Sequence, residues 1–286
     1  DSENYSQNNW VVNVVKTDLT LKLLSATAGN LESDSIRLNK IEKLLGGKLE
    51  NSSSSFYQYS RLNESQNTAV ERAICSPNFH LIQGPPGTGK TETIAHIAKL
   101  LVESGKKVFV TAPTHTAINN CLNAISSKVK DASKLVKIGE KYQAAEIIGN
   151  EYITRKSRIP LEKFPFNDKL SKKGIIIGGT PYSMCYPASK RLNNWEFDVA
   201  LIDEAAQMSI PLAVSVMSKT DKFIFVGDHK QLDPIIPSGT GVSMFSESVF
   251  SRLVRLYPND KSLLNISYRL NEQLIRIPNT LFYNNQ

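Results

Sequence analysis

The sequence predicts an α/β fold, with a mainly parallel central sheet flanked by helices on both faces and a helical segment ahead of it. Three observations carry this. From Phe79 onward, short apolar runs alternate with helical stretches. Most of those runs are β-branched, apolar at every position and bounded by turn residues, the pattern of strands buried on both faces. The glycine-rich stretch "LIQGPPGTGKTETI", Leu81 to Ile94, joins the first run to the first helix of that series.

The elements follow in order. "TDLTLKLLSA" (Thr17–Ala26) reads as a helix start, and "SDSIRLNKIEKLLGG" as a second helix in which Leu38, Ile41 and Leu45 keep helical spacing and Gly46-Gly47 stop it. "ENSSSSFYQYS" (Glu50–Ser60) reads as a Ser-rich linker. The candidate strands are 79–83, 108–112, 135–138, 174–179, 198–202 and 222–226. No internal repeat is present. Residues 155–173 carry seven basic residues against two acids, with two phenylalanines among them. They read either as a solvated loop or as a basic insertion, about 144–173 in all, that touches a phosphate backbone.

Composition narrows the classes. At 286 residues, 41% hydrophobic and 21% charged, the chain is an ordinary globular protein with ample core. No apolar run approaches membrane-spanning length. The net charge of +7 favours a polyanionic partner. Cys75, Cys121 and Cys185 are odd in number and far apart, and the four histidines lack metal-site spacing, which predicts reduced thiols in a cytoplasmic or nuclear compartment. The chain opens "DSENYSQNNW", with neither an initiator Met nor a signal-peptide pattern, so it is expected to be part of a longer protein.

Gly84-Pro85-Pro86-Gly87-Thr88-Gly89-Lys90-Thr91 satisfies G-x-x-x-x-G-K-[ST]. Glycines let successive backbone N–H groups turn inward onto phosphate oxygens, and the helix beginning near Lys90 adds its positive end. Lys90 is placed to neutralise the β- and γ-phosphates of ATP and the Thr91 hydroxyl to ligate Mg2+. "VALIDEAAQ" (Val199–Gln207) ends an apolar strand in two carboxylates. Asp203 suits the Mg2+ sphere and Glu204 the base that orients the attacking water. Alone, the pair is also what a helix N-terminus favours. "FIFVGDHKQLDP" (Phe223–Pro234) puts Gln231 where it can report on the γ-phosphate, and Gln66 in "LNESQNTAV" could read the adenine edge or cap a helix. "TAPTHTAINN" (Thr111–Asn120) and "GGTPYSM" (Gly178–Met184) offer hydroxyls and amides suited to a single strand of nucleic acid.

In this order the motifs resemble those of the superfamily-1 helicases, in particular the up-frameshift and senataxin type (superfamily 1B). "LNESQNTAV" matches the Q motif, "GPPGTGKTET" motif I (which takes in Glu92), "APTHTAINN" motif Ia, "GTPYS" motif Ib, "IDEAAQ" motif II and "GDHKQLDP" motif III. "ISYRLNEQLIRIPNTLFYNNQ" (Ile266–Gln286) looks like the Tyr-Arg motif that opens the second RecA-like domain. The resemblance implies that Tyr268 stacks on adenine, that Arg269 reaches the γ-phosphate, and that Pro113, Thr114, His115, Asn119, Thr180, Pro181 and Tyr182 touch the strand. It implies a division into an N-terminal stalk and linker (1–60), a first RecA-like P-loop NTPase domain (61–265) and the start of a second (266–286).

Where many relatives read "QYR" this chain reads "SYR", so Ser267 is expected to forfeit a side-chain contact. The resemblance further implies an ATP-dependent helicase or translocase on single-stranded DNA or RNA, acting 5′ to 3′ as a monomer. This chain alone is expected to bind Mg-ATP weakly and turn it over little, since most of the second RecA-like domain is not in it. Two other readings are a nucleic-acid-independent ATPase switch and a regulatory or docking module derived from half a helicase.

Overall fold

A computed structural model describes residues 19–51, 62–131, 135–138, 151–153, 174–185, 196–232, 234, 247–269 and 271–283. Eight strands among them form one sheet: β1 (Phe79–Gln83), β2 (Lys107–Thr111), β3 (Leu135–Ile138), β4 (Glu151–Ile153), β5 (Ile175–Gly178), β6 (Phe197–Ile202), β7 (Thr220–Gly227) and β8 (Lys261–Leu263). Their order is β4-β3-β5-β2-β6-β7-β1-β8, and all seven neighbouring pairs run parallel. The helices are α1 (Leu19–Glu32), α2 (Ser35–Leu45), α3 (Glu64–Cys75), α4 (Lys90–Glu103), α5 (His115–Ser126), α6 (Ile210–Met217), α7 (Val249–Leu256) and α8 (Glu272–Phe282).

Why the strands lack a period-2 pattern is visible in their packing. Along β7, Phe223 and Phe225 join one core layer while Ile224 and Val226 join the other. The first layer is closed by α2, α6 and α7, and the second by α3, α4 and α5. Both faces of the sheet are therefore covered, and most strand positions are apolar, with His80 in β1 and Lys137 in β3 among the buried exceptions.

All six sequence-predicted strands form, within one or two residues at their ends. Two were not foreseen. β4 lies inside the segment read as a basic insertion and pairs with β3, Lys137 opposite Tyr152. β8 pairs with β1 as an edge strand, Leu81 opposite Lys261. Most of the insertion, most of the Ser-rich linker and both tryptophans lie outside the described residues. The start of the linker is tied down: Asn51 donates from Nδ2 to Phe79 O (2.7 Å), and its Oδ1 accepts from Phe79 N (3.2 Å).

The predicted stalk is not a separate body. Leu31, Ile41 and Leu44 belong to the same core layer as Phe79 and Phe223. The last carbonyls of α2, orphaned at a helix end, are taken up from elsewhere in the chain. Tyr257 Oη donates to Leu44 O and Lys43 O (3.0 and 3.1 Å), and Arg252 Nε donates to Leu45 O (2.9 Å).

Candidate nucleotide and strand-binding site

Parallel pairing brings the C-terminal ends of the strands to one edge of the sheet. There β1 lies beside β7 and β7 beside β6, with Gln83 opposite Gly227 and Ile202 opposite Phe225. The loop after β1, the Gln231 loop after β7 and the acid pair after β6 are consequently neighbours. The sheet order departs from chain order here, with β1 and β2 separated by β6 and β7, the kind of crevice where ligands bind in open α/β sheets.

The Gly84–Gly89 loop is anchored at its base, Gly84 N donating to Gly227 O (3.0 Å). Thr88 Oγ1 donates to Pro85 O (2.8 Å), and Lys90 Nζ to Gly84 O (2.7 Å). A Cβ on Gly84 would stand 2.5 Å from Lys90 Cγ, so the side chain that follows the loop leaves no room for one. Gly89 has φ +81° and begins α4, and a Cβ there would meet Gln66 Nε2 at 2.4 Å. Thr91 follows Lys90 in the first turn of α4. Glu92 is engaged elsewhere: its Oε1 pairs with Lys128 Nζ at 2.7 Å and with His96 at 3.5 Å.

Asp203 is buried, and its N–H donates to Thr111 O (2.8 Å). Its Oδ1 accepts from the Glu204 N–H (2.9 Å), and its Oδ2 accepts from the Cys121 thiol (3.1 Å). Burial raises its pKa, opposed by the thiol, the Glu204 N–H and the Lys90 charge. Glu204 is also raised, by burial and then by the negative charge of Asp203. Among the described residues Glu204 is the one non-glycine with positive φ (49°), a left-handed conformation that costs about 1–2 kcal/mol. Cys121 is buried, and its thiol tethers α5 to Asp203.

Sequence reasoning missed Asp228. This carboxylate, 1% exposed, gathers the loop after β7. Its Oδ1 accepts from Gln83 Nε2 (3.4 Å) and Lys230 N (3.2 Å), and its Oδ2 accepts from Gln231 Nε2 (2.8 Å) and Tyr283 Oη (2.6 Å). The signal was present as an acid after a strand-ending glycine, overshadowed by the glutamine three residues on.

The Tyr-Arg segment lies on the loop. Tyr268 N donates to Gly87 O (2.8 Å), Ser267 Oγ donates to Pro86 O (3.4 Å), and a Cβ on Gly87 would meet Arg269 Cβ at 2.4 Å. Ser267 thus makes a side-chain contact of its own. Tyr268 Oη accepts from Asn63 Nδ2 (2.8 Å). Asn63 and Gln66 form the capping box of α3, with Gln66 also donating from Nε2 to Thr88 O (3.1 Å). The capping role foreseen for Gln66 is therefore present, and it braces the loop as well.

Of the strand-facing candidates, Asn119, Thr180 and Pro181 are buried, whereas Thr114 is exposed and Pro113, His115 and Tyr182 are half-buried. Thr114 caps α5, its Oγ1 accepting from Ala117 N (3.2 Å). Tyr182 Oη lies 3.3 Å from Thr20 Oγ1 of α1, so its ring is tied to the stalk. His115 Nδ1 lies 3.1 Å from Lys137 Nζ.

No group of three or more His, Cys, Asp or Glu among the described residues is arranged to hold a metal ion. Mg2+ needs none, because it takes one or two protein oxygens beside phosphates and waters. The Thr91 hydroxyl and the Asp203 carboxylate, one on α4 and one at the end of β6, fit that demand.

In sequence the chain is similar to known ATP-dependent helicases. The AAA-domain family matches residues 61–256. An ATP-dependent helicase of Methanocaldococcus jannaschii, described as uncharacterized, is 30% identical over 79% of this chain and 45% of its own length. The DNA replication ATP-dependent helicase/nuclease DNA2 of Saccharomyces cerevisiae is 30% identical over 79% of this chain and 14% of its own. The chain thus spans less than half the length of these relatives. Among solved structures, the arterivirus nonstructural protein 10 helicase in complex with DNA is similar at a TM-score of 0.47 and 13% identity, over 79% of this chain and 44% of that one.

Proposed function

The chain belongs to the AAA-domain family, as the RecA-like ATPase domain of a superfamily-1 helicase, and from that premise we propose that it is the ATP-binding core of a motor on single-stranded nucleic acid. The observation that carries this reading is the adjacency, on β1, β7 and β6, of the phosphate loop, the Gln231 loop and the acid pair. Gly84, Pro85, Pro86, Gly87, Thr88 and Gly89 present backbone to the phosphates, and Lys90 carries the neutralising charge. Thr91 and Asp203 hold Mg2+, which when bound supplies charge neutralisation at the phosphates. Glu204 takes the proton of the attacking water; burial and Asp203 move its pKa upward, toward the range useful for a base. Gln231, held by Asp228, faces the phosphate end, and Arg269 lies across Gly87. Tyr268 borders the adenine, and Gln66, whose amide is taken by the α3 cap and Thr88 O, acts by bracing the loop. The engagement of Glu92 with Lys128 and His96 argues against a nucleotide contact there.

Thr114, His115, Pro113 and Tyr182 form the strand-facing rim. By resemblance, the direction is 5′ to 3′ and the site of action intracellular. The deciding measurement is phosphate release from Mg-ATP with and without single-stranded DNA and RNA, using Glu204→Gln as the blank. Stimulation by either polymer above that blank establishes the coupled ATPase. Turnover that no polymer alters in the longest natural form would instead identify a nucleic-acid-independent switch.

A further inference from the structure

A buried lysine stands behind the strand-facing rim. Lys137 lies on β3, is fully buried, and pairs in register with Gly178 of β5. Its ammonium is 3.1 Å from His115 Nδ1, and among the described residues no carboxylate pairs with it. Burying an ammonium without a counter-charge is costly, so the position calls for an explanation beyond packing. A protonated lysine can only donate. His115 Nδ1 must then accept, which leaves the ring proton on Nε2, at the opposite side of the ring from Lys137.

We propose that Lys137 is a positioning residue that fixes His115 as a neutral imidazole whose outward Nε2–H donates to a backbone phosphate of the nucleic-acid strand. This rests on α5 facing that strand, as the preceding reading has it. His115 is the first residue of α5, on a partly exposed ring, so its outer edge meets solvent where a strand would pass. Burial and the Lys137 charge lower the His115 pKa to about 4, while burial lowers Lys137 to about 8. At neutral pH the lysine is charged and the histidine is not. Among the described side chains, the surrounding elements supply no competing charge. α5 carries no other titratable group than Cys121, whose thiol is spent on Asp203, and β5 and the described side chains of the 181–185 turn are otherwise uncharged. On α4, Glu92 is paired with Lys128 and His96, and Lys99 with Glu103.

Imidazole ¹⁵N spectra of this chain, with His115 assigned through His115→Gln, test the lysine's part directly. His115 should carry its proton on Nε2 at pH 7 and stay neutral down to about pH 5. In Lys137→Met its titration should move upward, part of the way only, because the burial that lowers it first is still there. Lys137→Gln, which keeps a donor without the charge, should hold the tautomer while the titration moves up in the same way. Binding of a fluorescent oligothymidylate tests the phosphate. His115→Ala should weaken it about fivefold with the salt dependence unchanged, because a neutral donor releases no counterion. His115→Gln, whose amide reaches the Nε2 position, should restore most of the loss and His115→Asn should not.

A wild-type His115 that titrates near 6.5, or that carries its proton on Nδ1, overturns the proposal. So does the expected spectrum combined with His115→Ala binding as wild type does. If no form of the chain binds a single strand, the strand-facing reading fails and takes the phosphate contact with it, and the spectra still decide whether Lys137 sets the ring.

Discussion

At the residue scale, the chemistry-bearing positions were legible because they are constrained twice, by side-chain type and by backbone shape. Gly89 shows both, with a left-handed φ and a neighbour that excludes any Cβ. Glu204 shows the opposite compromise, a left-handed conformation held by a residue that dislikes it. Such strain persists where the surroundings over-determine it, commonly at functional sites. Glu204→Asn is accordingly expected to raise stability by about 1 kcal/mol, since asparagine tolerates this conformation and a charge beside Asp203 is removed. It should abolish hydrolysis at the same time. Chemical denaturation read beside phosphate release checks it, and a midpoint that falls would show that Glu204 is not strained. Lys90→Ala should lose nucleotide binding itself, measured by titration with a fluorescent ATP analogue; unaltered affinity would remove Lys90 from the phosphate site. What sequence could not show was who holds whom. Neither the Cys121 thiol on Asp203 nor the Lys137 ammonium on His115 has a pattern, because the first joins elements far apart in the chain and the second depends on how a helix start packs on the strand that follows it.

At the element scale, α8 was assigned to the next domain, yet it is latched to this one. Tyr283, just past its end, donates to the same Asp228 oxygen that accepts from Gln231, and burial together with the Asp228 charge raises the tyrosine's pKa. The Gln231 loop and the helix after the Tyr-Arg motif thus share one acceptor. Tyr283→Phe should free that oxygen, let Gln231 shift, and lower the rate of ATP hydrolysis several-fold with little change in KM. A change in KM alone would mean that the latch serves ATP binding and leaves Gln231 where it was. Arg269→Ala should spare ATP binding more than hydrolysis, and equal loss of both would count against its proposed role at the γ-phosphate. The elements that escaped the sequence were the short ones. Three residues of β4 and three of β8 are too few for a periodic signal, and both strands exist because a neighbouring parallel strand offers them hydrogen bonds. The longer apolar runs were legible because burial on both faces leaves few polar positions, such as His80 and Lys137, to interrupt them.

At the scale of the whole molecule, the helices read as a stalk pack directly against the ATPase sheet. Arg37 of α2 bonds through Nη2 to Asp221 (2.9 Å) at the start of β7, and through Nη1 to Glu196 (3.1 Å) just before β6. Those ion pairs are partly exposed and worth little singly. The apolar seam is larger: Ile41 and Leu44 are sealed against the layer that contains Phe79 and Phe223, and Tyr257 packs edge-on to Phe79 at 4.6 Å while capping α2. A seam of that kind makes the helices and the sheet one cooperative unit. Leu44→Ala, at a fully buried position, should cost about 2–5 kcal/mol. It should shift a single unfolding transition, seen at the same midpoint by far-ultraviolet circular dichroism and by a fluorophore placed on α1. If the fluorophore reports an earlier transition while the sheet melts where it did before, the stalk is an independent layer. In that case α1, which touches the strand-facing rim through Thr20 and Tyr182, would be free to move without disturbing the nucleotide site, whereas a single transition ties the rim to the ATPase core.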